Sequence, residues 1–387
     1  MLGRWYRAGF FFSTFLLIQV SSAHEGKGVE LTKQQIFAQY LLDKEVWPKP
    51  HLDEGVMHIE LASLPEVSYP KGNLYSDEKY QLGRHLFFDP RLSRSGQIAC
   101  ASCHEPQLGW ADGKRFSHGH NRAEGTMNSP TILYTGHLSA LFWDGRAKSL
   151  EAVAIDAMTN PIEMAADEES VVKTLGSISG YQELFRVSFP GETISFQTIS
   201  KALATFIRGQ NPDTPFDRFM RGNPMALNED QIHGMHLFRT KARCMNCHQG
   251  AMLTDQKFHH LGTSFYGVDG FRGRASATGD LRETGQFRTQ PLRAATITPP
   301  FMHNGLVNSL PHLIEMYSMG WWQNNPPSNK SLDDKDFPKL SPHIQALELT
   351  KDEKKDLESF LHALSPSVHF VATPQYLPSS NKQELKK

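Results

Sequence analysis

Two five-residue stretches carry the chemistry open to this chain: CASCH, Cys100 to His104, and CMNCH, Cys244 to His248. Each is C-x-x-C-H, the attachment pattern for c-type haem. Sulfurs three positions apart can bond the two vinyl groups of one porphyrin, and the histidine that follows then lies beneath the iron as its proximal ligand. A lone C-x-x-C says little, but all four cysteines of the chain sit in these two motifs and both motifs end in histidine. A four-cysteine zinc site would bring Cys103 and Cys244 within ribbon spacing, which they far exceed, and would need neither histidine. Disulfides would leave the repeated histidine a coincidence. A thioredoxin-like redox pair calls for a βαβ setting that the pattern lacks. Two covalently bound haems c are therefore expected, on Cys100, Cys103 and His104 and on Cys244, Cys247 and His248.

The rest of the chain must fold around those two sites. Its 387 residues suffice for two domains with a core each, and 39% hydrophobic content with a net charge of -1 is ordinary. Neither a basic excess nor a DNA-binding motif points to a nucleic-acid partner. Arg4 and Arg7 precede the apolar run Gly9 to Val20, and Ser21-Ser22-Ala23 then offers small residues for cleavage. This is the layout of a signal peptide over 1–23. The run is short for a membrane span, so the mature chain is expected in the periplasm, where covalent haem attachment also belongs.

Helix signals recur on both sides of the middle of the chain. Lys33 to Val46 reads as a helix with Ile36, Tyr40 and Leu41 on one stripe. Ser76 caps a helix running to Phe87, with Asp77 and Glu78 in its first turn. A long loop from Pro106 to about Ser139 follows the first motif. Helices are expected from Ser149 and, farther on, near 166–176, 180–188 and 194–208. Asn228 caps the helix that leads into CMNCH, much as the Ser76 helix leads into CASCH. Residues 249–286 read as loop, Ser309 caps a helix over Leu310 to Met319, and Thr350 with Glu353 forms a capping box for a last amphipathic helix. Little of the sequence alternates with period two. The fold expected is mainly α, with two cytochrome c-like haem domains: an extension over 24–70, a first domain over 71–215, a second over 216–370, and a loose polar tail over 371–387.

In order along the chain, LFFDPRLSRSGQIACASCH, NSPT, FWDGRA, NPIEM, PLR and PPFMHNG resemble the bacterial di-haem cytochrome c peroxidase family, which includes MauG. The resemblance covers roughly residues 75 to 365. It implies that the first haem reacts with hydrogen peroxide and that the second is six-coordinate and relays electrons. It implies that Trp143 of FWDGRA lies between the haems and that Glu163 of NPIEM is the carboxylate of the peroxide site, suited to moving a proton between the two oxygens. His120 matches a loop histidine that can occupy the first iron's sixth position until reduction releases it, with His118 as a rival. Asn128 and the carbonyls of Thr298 and Pro300 match a calcium site between the domains; oxygen-only ligands suit that ion. Arg288 and Arg293 would pair with haem propionates. The position that is methionine in the peroxidases falls on Tyr317, flanked by Met316 and Met319, and MauG uses tyrosine there. A phenolate favours oxidised iron, whereas a thioether favours the reduced form.

Three activities compete on these grounds. One is a peroxidase fed by a small cytochrome c or a cupredoxin. Another is a MauG-like enzyme that uses peroxide to oxidise residues of a partner protein. The third is an electron-transfer cytochrome, which would close both irons with strong ligands. Family members often dimerise, so a homodimer is one assembly that the resemblance allows.

Overall fold

A computed structural model of the protein describes residues 31–265, 272–321, 337–367 and 371–380. The expected signal peptide lies outside the described residues. Lys33–Lys387 form one compact unit. Among the described residues are eleven α-helices: α1 Lys33–Tyr40, α2 Asp77–Phe87, α3 Leu150–Thr159, α4 Glu168–Gly176, α5 Ser179–Ser188, α6 Phe196–Arg208, α7 Pro215–Met220, α8 Glu229–Arg239, α9 Arg274–Thr278, α10 Leu310–Ser318 and α11 Lys351–Ala363. The only strand pairing among them is β1 Phe258–His259 against β2 Phe287–Arg288, antiparallel. The expected mainly α architecture is thus found.

The helices begin where the chemistry of the first turn allows. Ser76 Oγ accepts from Lys79 N at 3.2 Å, satisfying one of the N–H groups that open α2. Asn228 and Gln231 cap α8 reciprocally, as Thr350 and Glu353 do α11. Ser309 precedes α10 but its hydroxyl caps nothing. Pro311, inside the first turn, lacks one of the N–H groups such a cap would bind.

Two modules repeat one design. In the first, α2 crosses α6 over a core that includes Leu82, Phe87, Leu203 and Phe206; in the second, α8 crosses α11 over Met235, Phe238, Leu357 and Phe360. Both crossings close on glycine. A β-carbon at Gly83 would collide with the Ala202 carbonyl oxygen, and one at Gly234 with that of Asp356. Alanine at Gly234 would gain up to ~1 kcal/mol of helix propensity, but forcing a methyl into a closed crossing costs ~1–3 kcal/mol. Gly234→Ala is therefore expected to lower the thermal midpoint, as scanning calorimetry of the holoprotein would read.

Several expectations need correction. The first helix stops at Tyr40; Lys44–Val46 is a separate turn, and Leu41 is exposed rather than in the stripe with buried Ile36 and Tyr40. Trp47 Nε1 donates to Leu42 O at 3.0 Å and ties the chain back at the break. The extension is a wall of the second module. Lys33 pairs with Asp356, the Tyr40 hydroxyl meets His236, and the backbone N–H groups of Asp53 and Ile59 donate to Asn246 and Gln249, beside CMNCH. The tail is not loose up to Ser380: Arg84, Arg91 and the Gly180 N–H donate to the carbonyls of Ala372, Pro378 and Ser379, which lays the tail along the first module.

Candidate functional site

Each C-x-x-C-H motif opens with a single helical turn, Cys100–Ser102 and Cys244–Asn246, that turns both sulfurs to one side. No disulfide joins them. Burial pushes the thiols of Cys100, Cys244 and Cys247 up to about 12 and raises that of Cys103. Such thiols stay neutral and do not make a redox-active pair; apolar surroundings suit thioethers. His104 Nδ1 lies 3.1 Å from the Trp110 carbonyl oxygen, and His248 Nδ1 lies 2.9 Å from that of Leu253. A ring N–H donated to a carbonyl fixes the tautomer and leaves Nε2 free as a metal ligand. The paired geometry fits two haems c.

Between the motifs runs one continuous cavity of about 750 Å³, walled by both of them and by Trp143, Glu163, Arg288 and Tyr317. Glu163 sits on the turn after α3. Asn160 Nδ2 donates to Glu163 Oε1 at 2.7 Å and aims the carboxyl. Burial, then the nearby charge of Asp156, raise its pKa to about 7, against the opposing pull of Arg146 and the Asn160 hydrogen bond. A carboxyl that titrates near neutrality can both take and return a proton.

Trp143 is held from several sides. Its indole Nε1 donates to the Asn128 carbonyl at 2.8 Å, and its own carbonyl accepts from Arg288 N at 2.9 Å. The flanking carbonyls of Phe142 and Asp144 accept from Arg288 Nε and Arg274 Nη1. Gly145 has φ of +69°, and a β-carbon there would strike the Phe258 ring. These contacts fix the FWDGRA strap of the first module against β1, β2 and α9 of the second.

At the second motif Tyr317, Met316 and Met319 sit in different surroundings. Tyr317 faces the cavity from α10. Met316 packs into a small cluster with Val307 and Trp321, and Met319 is 55% exposed. Burial, then the sulfurs of Cys247 and Cys244, raise the Tyr317 phenol's pKa well above its usual range. A phenolate there needs a cation in the cavity, and a ferric ion meets that need.

Arg288 is 4% exposed, borders the cavity and donates to Phe142 O, Thr289 O and Gln290 Oε1, with no carboxylate partner among the described residues. Burial lowers its pKa to about 10. A buried guanidinium without a counter-charge suits an anionic group entering the cavity. Arg293 differs from expectation. Both its Nη atoms bind Asp217, at 2.7 and 2.8 Å, within a pair almost wholly buried. Arg293 also lines the cavity, where that pair already neutralises its charge. His120 also departs from expectation. Its N–H donates to the Glu163 carbonyl at 2.7 Å, but neither its ring nor that of His118 lines the cavity. Asn128, Thr298 and Pro300 each line the cavity, and Asn128 lies against Trp143. Asn128 Oδ1 and the carbonyl oxygens of Thr298 and Pro300 accept no hydrogen bond from the described residues, which suits a hard cation that would complete its shell with water.

The di-haem cytochrome c peroxidase family profile matches residues 77–225. The methylamine utilization protein MauG of Methylorubrum extorquens is 36% identical over 311 residues, 80% of this chain and 84% of that protein. The cytochrome c551 peroxidase of Nitrosomonas europaea is 35% identical over 304 residues, 78% of this chain and 84% of its own. The chain belongs to the di-haem cytochrome c peroxidase family. Among solved structures, a MauG-like protein associated with microbial copper homeostasis superposes with a TM-score of 0.70 at 32% identity, covering 79% of this chain and 94% of that one. The protein is accordingly a peroxide-reducing oxidoreductase built for two haems c.

For this family member the site holds more than the motifs announced. His303, in the PPFMHNG motif, stacks on Phe287 with centroids 3.6 Å apart and meets Trp143 edge-on at 6.2 Å. Burial holds its imidazole down at about 3, hence neutral. Asn160 was likewise unforeseen as the residue that aims Glu163; its place three residues before the glutamate, at the end of a helix, was the available signal.

Proposed function

We propose that the chain is a periplasmic enzyme that uses hydrogen peroxide to withdraw electrons from a partner protein at long range, in the manner of MauG. The observation that carries this reading is Tyr317. It lines the cavity within electrostatic reach of the Cys244 and Cys247 sulfurs, and neither neighbouring methionine lines it. When bound, the haems supply iron that takes up the two oxidising equivalents of peroxide. The protein's own residues do the rest. Glu163, aimed by Asn160, takes a proton from one peroxide oxygen and returns it to the other. Trp143, fixed at both its indole and its carbonyl, bridges the two halves of the cavity. Arg288 would meet haem propionates. One calcium ion at Asn128, Thr298 and Pro300 would brace the seam.

The His120 ring lies off the cavity, which supports a first site accessible to peroxide without prior reduction. The deciding experiment adds peroxide to the fully oxidised protein in a stopped-flow instrument. Immediate spectral change is expected. A protein that responds only after one-electron reduction would contradict this reading. It would favour the second one, a peroxidase fed by a small cytochrome c or cupredoxin, to which the histidine-bearing loop and the c551 peroxidase relative lend support. Trp143→Phe is expected to slow oxidation of any protein partner about tenfold, a barrier change of ~1.4 kcal/mol. Its first reaction with peroxide should keep the wild-type rate.

A further inference from the structure

The two modules match more closely than their motifs. Thr131 to Asn160 and Pro291 to Gly320 run in register without a gap. Tyr134 and Ala294 share a φ of +62° and +61°, and each opens a single helical turn, Thr135–His137 and Ala295–Ile297. Phe142 and Met302 share +64° and +73°, and Gly145 and Gly305 share +69° and +58°. The backbone bridges Leu141–Ala147 and Phe301–Val307 occupy equivalent places. Positive φ at residues other than glycine costs roughly 1–2 kcal/mol each, so its recurrence at matched positions marks a real structural repeat. Trp143 and His303 are counterparts in it, and α3 corresponds to α10.

The match continues along those helices. Leu150, Val153 and Ala154 line the cavity from α3, as Leu310, Leu313 and Ile314 do from α10. The next residue of the stripe, one turn on, is Ala157 in α3 and Tyr317 in α10, and both line the cavity. Where the second module offers a phenol to its metal, the first offers a methyl group without a donor atom. Glu163 comes from the turn beyond α3, outside the repeat.

We propose that Ala157 is the residue that keeps the first iron's distal face open, and that the pair Ala157/Tyr317 sets which haem meets peroxide and which is closed. This rests on the two-haem reading above. The test uses the full-length holoprotein, with intact mass to count attached haems and electron paramagnetic resonance of the oxidised state to count irons by spin. The wild type should give one high-spin and one low-spin signal. Ala157→Met should lose the high-spin signal, gain a second low-spin one and lose its rapid reaction with peroxide. Tyr317→Ala should gain a second high-spin signal. Should Ala157→Met fail to retain haem, the spin count of Tyr317→Ala decides. A fully loaded Ala157→Met with its high-spin signal intact overturns the role of Ala157, and a Tyr317→Ala whose second iron stays low-spin overturns its pairing with Tyr317. Two low-spin irons in the wild type would instead sink the open-site reading itself.

Discussion

Glu163→Gln is expected to slow the reaction with peroxide by roughly 10²–10⁴-fold, the range a positioned acid–base group contributes. Glutamine keeps the size of the side chain and can still meet Asn160, so haem content and fold should hold. What it loses is the ability to carry a proton. The wild-type carboxyl titrates at about 7, raised by burial and Asp156, lowered by Arg146 and Asn160, with the Cys100 and Cys103 sulfurs also in electrostatic reach. An acid with a raised pKa is neutral below that value and a base above it. The wild-type rate should thus climb as pH rises through neutrality and level off beyond it. The glutamine variant should show a flat profile. Stopped-flow absorbance at fixed peroxide across the neutral range reads both effects. A variant that reacts at the wild-type rate, or keeps the wild-type pH dependence, would remove Glu163 from proton transfer.

Asp217→Ala should destabilise the protein by ~3–5 kcal/mol, the cost of leaving one partner of a buried ion pair alone. Among the described residues Arg293 would lose its only carboxylate partner while shielded from water. Three further bonds converge on the same aspartate: Leu64 N donates to it at 2.8 Å, and the Thr214 hydroxyl at 2.6 Å and N–H at 3.2 Å. The pair thereby joins the extension, α7 and the PLR turn. Burial alone would raise the Asp217 pKa, but the hydrogen bonds and charge of Arg293 outweigh it and hold the carboxyl below its usual range. Denaturant unfolding should show the loss as a lower midpoint. Adding Arg293→Met to the variant should restore part of it, because the orphaned charge goes with its partner. No recovery in the double variant would mean that the bonds to Leu64 and Thr214, not the ion pair, carry the effect.

Legibility followed how local each signal was. Both haem motifs are contiguous, so sequence alone located them. The caps at Ser76, Asn228 and Thr350 were readable because the interactions span three residues. The same logic applied to Thr214, Pro215 and Asp217 would have found α7, whose capping box and early proline were present in the sequence. Tyr317 required helix phase: adjacent residues point about 100° apart, so a slip of one position exchanges it with Met316. Arg293 and Arg288 look alike in sequence. Both line the cavity, and only the fold shows that Arg293 is paired with Asp217 while Arg288 meets no carboxylate among the described residues. The role given to Ala157 was invisible in the residue itself, since alanine carries no chemistry; it emerges only when the two halves are laid over each other.

The placement of the chain's ends has a consequence for its maturation. Residues near the N-terminus complete the later module, while the segment before Ser380 completes the earlier one. If the chain is exported, as proposed above, neither half can close until most of the polypeptide has crossed the membrane. Both attachment motifs would therefore emerge still accessible to the haem-ligating machinery, and many long-range contacts must form together at the end, which predisposes to slow, all-at-once folding. Cutting the gene at the midpoint would strip each fragment of a piece encoded in the other.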